Sequence, residues 1–209
     1  MIIELNQVSK RFNYDWIFSQ LNYSFKSGSV YAVTGHNGSG KSTLLRMIAG
    51  HLSPSEGTIS YTDSQPISRE EIFRQVSVTA PYIDLLDEFT MEETIQFQAR
   101  LKPFRRQISV SEVMELSGLH AHRGKALRYF SSGMKQRVKN ILAVLAESKI
   151  LIMDEPTSNL DEAGVTWYNE LLKEHRDNRL VVIGSNQPRE YIHADAVLDL
   201  NQFKQRIRQ

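Results

Sequence analysis

Nine consecutive residues, Gly35-His36-Asn37-Gly38-Ser39-Gly40-Lys41-Ser42-Thr43, fit the spacing G-x-x-x-x-G-K-[ST]. The chemistry of that spacing is phosphate recognition. Glycines let the backbone turn tightly and aim several N–H groups at one point. A helix beginning at the lysine adds the partial positive charge of its N-terminus there. Lys41 supplies a mobile point charge for the β- and γ-phosphates, and the Ser42 hydroxyl is a hard oxygen ligand suited to Mg²⁺. A chance match in a chain of this length is rarer than about 1%, with glycine at about 7% of residues. A second constellation is Ile150-Leu151-Ile152-Met153-Asp154-Glu155, an apolar run ending in two carboxylates. Asp154, at the carboxyl end of a central strand, is placed to hold Mg²⁺ directly or through water. Glu155 can accept a proton from an attacking water or orient it.

Such groups work only if strands and helices carry them to one place. Short apolar runs at Ile2–Val8, Val30–Thr34, Val76–Thr79, Ile150–Met153, Leu180–Ile183 and Ala196–Leu200 read as strands, several apolar throughout as if buried on both faces. The phosphate loop then lies between a strand and a helix, Lys41–Ala49, which is the context it requires. Met91–Leu101 and Val110–Leu116 read as amphipathic helices. In Ser131–Glu147, residues Met134, Val138, Ile141, Leu142 and Leu145 share one helical face, and Asp161–Glu174 follows the same pattern. Alternation of strand and helix predicts an α/β fold with a mainly parallel sheet. From about 87 to 147 the signals are helical only, which predicts a helical subdomain inserted into a core of 1–86 and 148–209.

The bulk properties exclude several alternatives. The chain has 209 residues, with 25 Lys and Arg against 24 Asp and Glu. That balance gives no basis for nucleic-acid binding driven by net charge. No cysteine is present, so disulfides, zinc–thiolate sites and cysteine nucleophiles are excluded. The start, MIIELNQVSKRF, lacks a signal-peptide pattern. The longest apolar run, Ile141 to Ala146, falls far short of the about 20 residues that cross a bilayer.

Two further segments narrow the reading. Phe130-Ser131-Ser132-Gly133-Met134 precedes the acidic strand and resembles the LSGGQ signature of ABC-type ATPases. Residues 154–161, DEPTSNLD, resemble their Walker B segment and D-loop. The order of phosphate loop, helical segment, signature, acidic strand and D-loop is that of the ABC cassette and covers essentially the whole chain. The resemblance implies a P-loop NTPase cassette with an antiparallel N-terminal β region. It also implies a head-to-tail dimer, with the chain itself or a related ATPase subunit, in which ATP and Mg²⁺ lie between one phosphate loop and the other subunit's signature. Ser131, Ser132 and Gly133 would then face a γ-phosphate, and Phe12 would stack on adenine. The expected role is an ATPase subunit driving transmembrane permease subunits from the cytoplasmic face of the membrane. A soluble ABC ATPase acting on a protein complex and an ATP-binding sensor with little turnover are the alternatives. Read against the cassette, the length predicts one ATPase unit ending in a basic tail of Lys204, Arg206 and Arg208, with the membrane span in other chains.

Three departures bear on turnover. The signature reads FSSGM. No glutamine lies near Ala80–Tyr82, where the family's Q-loop carries one. The family's switch histidine is matched by Asn186, which can hydrogen-bond a phosphate or a water but cannot titrate near neutral pH. ATP binding with slow hydrolysis is the expectation.

Overall fold

The computed structural model describes residues 1–204; Arg206 and Arg208 of the basic tail lie outside the described residues. Two sheets organise the described residues. The antiparallel one comprises β1 (Ile2–Phe12), β2 (Asp15–Lys26), β4 (Glu56–Thr62) and β5 (Pro66–Ile67), in the order β2-β1-β4-β5. The parallel one comprises β3 (Val30–Thr34), β6 (Val76–Thr79), β7 (Ile150–Asp154), β8 (Leu180–Gly184) and β9 (Ala196–Asp199), in the order β6-β7-β8-β3-β9.

Every residue of β7 and β8 is buried, which explains their unbroken apolar runs. Side chains alternate between two cores. Ile150 and Ile152 face α1 (Lys41–Ile48) and the antiparallel sheet, together with Phe18, Phe25, Leu44 and Ile48. Leu151 and Met153 face the helices α2 (Met91–Leu101), α4 (Ser132–Leu145) and α5 (Glu162–His175), together with Ile95, Val138, Ile141 and Tyr168. Helix α3 (Val110–Leu116) adds Val113 to this second core. Thr90 with Glu93 and Ser109 with Glu112 form capping boxes that start α2 and α3, each satisfying backbone N–H groups in both directions.

The expected strands and helices form, with shifts at their ends. Helix α4 starts one residue late because Ser131 is its N-cap, and it stops at Leu145. Ala146 turns extended to bridge Phe104, and the Glu147 N–H donates to Pro103 O. Strand β9 ends at Asp199, where Leu200 opens a short 3-10 turn. The larger difference is in the antiparallel sheet. Strand β1 continues four residues past Val8, and β2 and β4 are added to the expected strands; in them Leu21, Tyr23 and Phe25, and Ile59 and Tyr61, alternate with polar residues. Gln7 (φ 52°) and Gln20 (φ 55°) sit in the left-handed region, and the β1–β2 register shifts at three points. Each bulge exchanges the inward and outward faces, so alternation in β1 and β2 runs only between bulges, as in Leu21–Lys26.

Candidate functional site

The carboxyl ends of β3, β7 and β8 meet at one edge, with Val33 and Asp154 both level with Gly184. Gly184 permits this convergence. A Cβ there would lie 2.6 Å from Leu45 Cδ1 and 3.0 Å from Asp154 Oδ1. From this edge Gly35–Gly40 loops over and feeds α1. Gly40 has φ 102° and a Cβ on it would meet Ile17 Cγ2 at 2.4 Å, so no other residue fits this turn against β2. The buried Lys41 ammonium donates to Gly35 O at 2.8 Å and to His36 O at 3.4 Å, which tucks it against the loop. An open cleft of about 310 Å³ lies over the loop, walled by Ile17, Asn37, Gly38, Lys41, Ser42, Thr43 and Glu155.

Two buried oxygens here have no hydrogen-bond partner, Ser39 Oγ and Asp154 Oδ1. Asp154 is 2% exposed. Burial pushes its carboxyl up to about 6; the neighbouring Ser42 hydroxyl and Lys41 ammonium pull it back, while Glu155 and Glu190 raise it further. A buried carboxylate that is costly to ionise, next to a serine hydroxyl at a helix N-terminus, fits a divalent cation shared with phosphate oxygens. Glu155 follows at φ 46°, its N–H donating to Gly184 O at 2.9 Å and its Oε2 accepting from Ser158 Oγ at 3.4 Å. A non-glycine residue held there stores about 1 kcal/mol or more.

Asn186 extends the site from the end of β8. Its Oδ1 accepts from Gly35 N–H at 3.2 Å and its Nδ2 donates to Asn37 Oδ1 at 3.2 Å. Two residues that the sequence did not single out complete this face. Asn201 Oδ1 accepts from His36 N–H at 3.3 Å. Tyr82 stands in the stretch that lacks the glutamine, with the Arg46 guanidinium 5.6 Å from its ring centroid. Burial and then the negative charge of Asp154 push its phenol to about 12, with Arg46 acting the other way. Both residues arrive through long-range contacts, and no local pattern marks them.

The signature turn forms a separate cleft of about 410 Å³, walled by Ser131, Ser132, Gly133, Arg137, Asn159 and Asp161 among others. Ser131 Oγ accepts from Met134 N–H at 3.2 Å as the N-cap of α4. A Cβ on Gly133 would lie 2.8 Å from Asn159 O, so this glycine lets the helix start approach the DEPTSNLD turn. Beneath it, Gln136 Nε2 and Asn140 Nδ2 both donate to Pro156 O, at 3.1 and 2.7 Å, and Thr79 Oγ1 donates to Asn140 Oδ1. Those buried bonds fix the signature helix to the turn that follows Glu155. Phe12 is 46% exposed at the end of β1, with Lys10 Nζ 5.1 Å from its ring centroid. The phosphate cleft is walled by Ile17 and does not include Phe12 in its lining.

The chain is similar to known proteins in sequence and in fold. Residues 18–158 match the ABC transporter family. The chain is 27% identical over 202 residues to an uncharacterized ABC transporter ATP-binding protein, YybJ of Bacillus subtilis, covering 96% of this chain and 93% of that one. It is 29% identical over 183 residues to the bacitracin transport ATP-binding protein BcrA of Bacillus licheniformis. That match covers 87% of this chain but 60% of BcrA, so the chain spans about three-fifths of this relative's length. A solved dimer of an ATP-binding cassette in a post-hydrolysis state, bound to ADP and Pi, has a TM-score of 0.81. At 21% identity over 94% of this chain and 93% of that one, it shows a shared fold. Among the described residues no helix is long and apolar enough to cross a membrane.

Proposed function

The chain belongs to the ABC transporter family, and from that premise we propose that it binds ATP with Mg²⁺ at Gly35–Thr43, hydrolyses it, and drives a membrane-spanning partner. The observation that carries this reading is the convergence of Lys41, Ser42 and Glu155 on one cleft, backed by the unpartnered Asp154 Oδ1. In this reading Lys41 leaves Gly35 O for the β- and γ-phosphates, and the loop N–H groups bind the remaining phosphate oxygens. Ser42 and Asp154 would hold the Mg²⁺, which would supply positive charge to neutralise the phosphates. Glu155 orients a water in line with the γ-phosphorus and takes its proton as the new P–O bond forms and the bond to ADP breaks. Ser131, Ser132 and Gly133 of a second cassette close the far side of the γ-phosphate, and Phe12 stacks on adenine.

Asn186 holds the loop by hydrogen bonds but offers no group that titrates near pH 7, which supports slow turnover. For the partner, a groove of about 310 Å³ between β6 and α2 presents Leu85, Leu86, Phe89 and Phe97 beside Asp84 and Lys139. Leu86 and Phe97 are exposed at 50% and 44%. An apolar floor with a polar rim suits a helix of a permease subunit, with this chain on the cytoplasmic face. A steady-state ATPase assay beside Glu155→Gln, with and without membranes, tests the reading. Turnover that Glu155→Gln abolishes supports it; wild-type turnover no higher than that of the variant in either condition favours the sensor reading. Recovery with soluble proteins only would favour action on a soluble complex.

A further inference from the structure

Glu190 is buried at 1% exposure, and the chemistry of the phosphate cleft has no use for it. Its Oε1 accepts from Thr157 N–H at 3.0 Å and also from the Thr157 hydroxyl. Its Oε2 is buried without a partner. Thr157 is the fourth residue of DEPTSNLD, directly ahead of the loop that walls the signature cleft. Four residues before Glu190 stands Asn186, in hydrogen-bond contact with Gly35 and Asn37 of the phosphate loop. The short segment between them is held along its length. Ser185 N–H donates to Val33 O, Gln187 N–H to Ser185 Oγ, and Glu190 N–H to Gln187 O, at 3.0, 2.8 and 2.9 Å. From α5, Asn169 Nδ2 donates to Arg189 O at 3.2 Å and Tyr168 OH to Glu190 O at 3.1 Å.

We propose that Ser185–Glu190 is a strut that transmits occupancy of the phosphate loop to the D-loop of the same chain, with Glu190 as the positioning residue that grips Thr157. A buried carboxylate held on a backbone N–H and a hydroxyl is a stiff joint, because breaking it strands a charge in the core. Phosphates arriving at the loop compete for the contacts of Asn37 and Asn186. A shift of Asn186 then moves a segment whose other end is fixed to Thr157, and the loop 158–161 moves with it. The wall of the signature cleft thus carries information from this chain's own nucleotide. The inference rests on the proposed nucleotide site but not on transport.

Hydrogen exchange of the full chain tests it, read at Thr157–Leu160 with and without ATP, alongside equilibrium ATP binding. Glu190→Ala is expected to speed exchange at Thr157 about tenfold. It should also erase the ATP-dependent change seen in wild type, with ATP affinity kept within about threefold. Glu190→Gln keeps an acceptor for both Thr157 donors and is expected to restore coupling. Thr157→Val removes only the hydroxyl bond and guards against a Glu190→Ala chain that does not fold. Unchanged Thr157 exchange in Glu190→Ala overturns the grip. An ATP response surviving in that variant, or absent from a wild type that binds ATP, overturns the transmission. A wild type that binds no ATP counts against the proposed nucleotide site, while the nucleotide-free arm still decides the grip.

Discussion

The chain carries two turns that open helices toward clefts, and they are built on different terms. At Gly35–Thr43 the turn holds a buried ammonium and adjoins a buried carboxylate, and the next residue after that carboxylate is strained. At Ser131–Gly133 it offers a capping hydroxyl, a second serine and backbone N–H groups, all neutral. One feature is common. Helices α2, α3 and α5 carry Glu92, Glu93, Glu112 or Glu162 in their first turns, whereas α1 and α4 carry no acid there. Both turns therefore keep their positive helix end free for an anion. In the proposed function, therefore, the first turn binds the phosphate chain and the second completes a site whose charge is brought from elsewhere. Half a site of each kind on one chain is what a head-to-tail dimer uses.

Changing the charged turn should have the larger consequences. Glu155→Gln is expected to cut turnover by about a hundredfold to ten-thousandfold while sparing ATP binding. Steady-state and equilibrium assays would show this, and parallel losses would recast Glu155 as a binding group. Lys41→Ala should weaken ATP binding by about a hundredfold, the scale of a lost charge-assisted contact. Were the loss only a few-fold, the contrast between the two turns would collapse.

Asp154→Asn sharpens the contrast in the absence of nucleotide. With its carboxyl raised from 3.8 to about 6, Asp154 is costlier to ionise in the folded chain than in the unfolded one. The cost at neutral pH is about 3 kcal/mol. Asp154→Asn should therefore stabilise the nucleotide-free protein fully above about pH 6. The gain should fade as pH falls toward 3.8, where both states hold the proton. Thermal unfolding across that window measures it, while the same variant loses Mg²⁺-dependent nucleotide binding. The smallest effect is expected for Phe12→Ala, about 1 kcal/mol of ATP affinity and equal for ATP and GTP, since stacking does not read the base.

The charged turn was also the more legible of the two. Every group that Gly35–Thr43 needs lies within nine residues, and the flanking strand and helix announce themselves by period. Asp154 and Glu155 end a strand whose burial on both faces can be read from its apolar run. The signature needed the family pattern, because a serine before a helix is an ordinary cap. Asn201, Tyr82 and Glu190 could not be read at all. Each reaches the site from a separate segment, and only the folded chain sets Glu190 beside Thr157 or Tyr82 near Asp154. The bulge at Gln20 interrupts the pattern of β2, but its second half and β4 were legible, since Leu21, Tyr23 and Phe25, and Ile59 and Tyr61, alternate with polar residues.

If the two turns act on one ATP from two chains, mixing two broken chains should rebuild a site that neither has. Lys41→Ala disables the phosphate loop and Gly133→Val disables the signature turn, where a side chain meets Asn159 O. Neither variant alone can assemble one intact composite site. Together they can, with the loop of the Gly133→Val chain facing the signature of the Lys41→Ala chain. Sedimentation with ATP and Mg²⁺ is predicted to show association in the mixture and in neither variant alone. If the mixture stays as monomeric as its separate components while wild type associates, the shared-site account is contradicted.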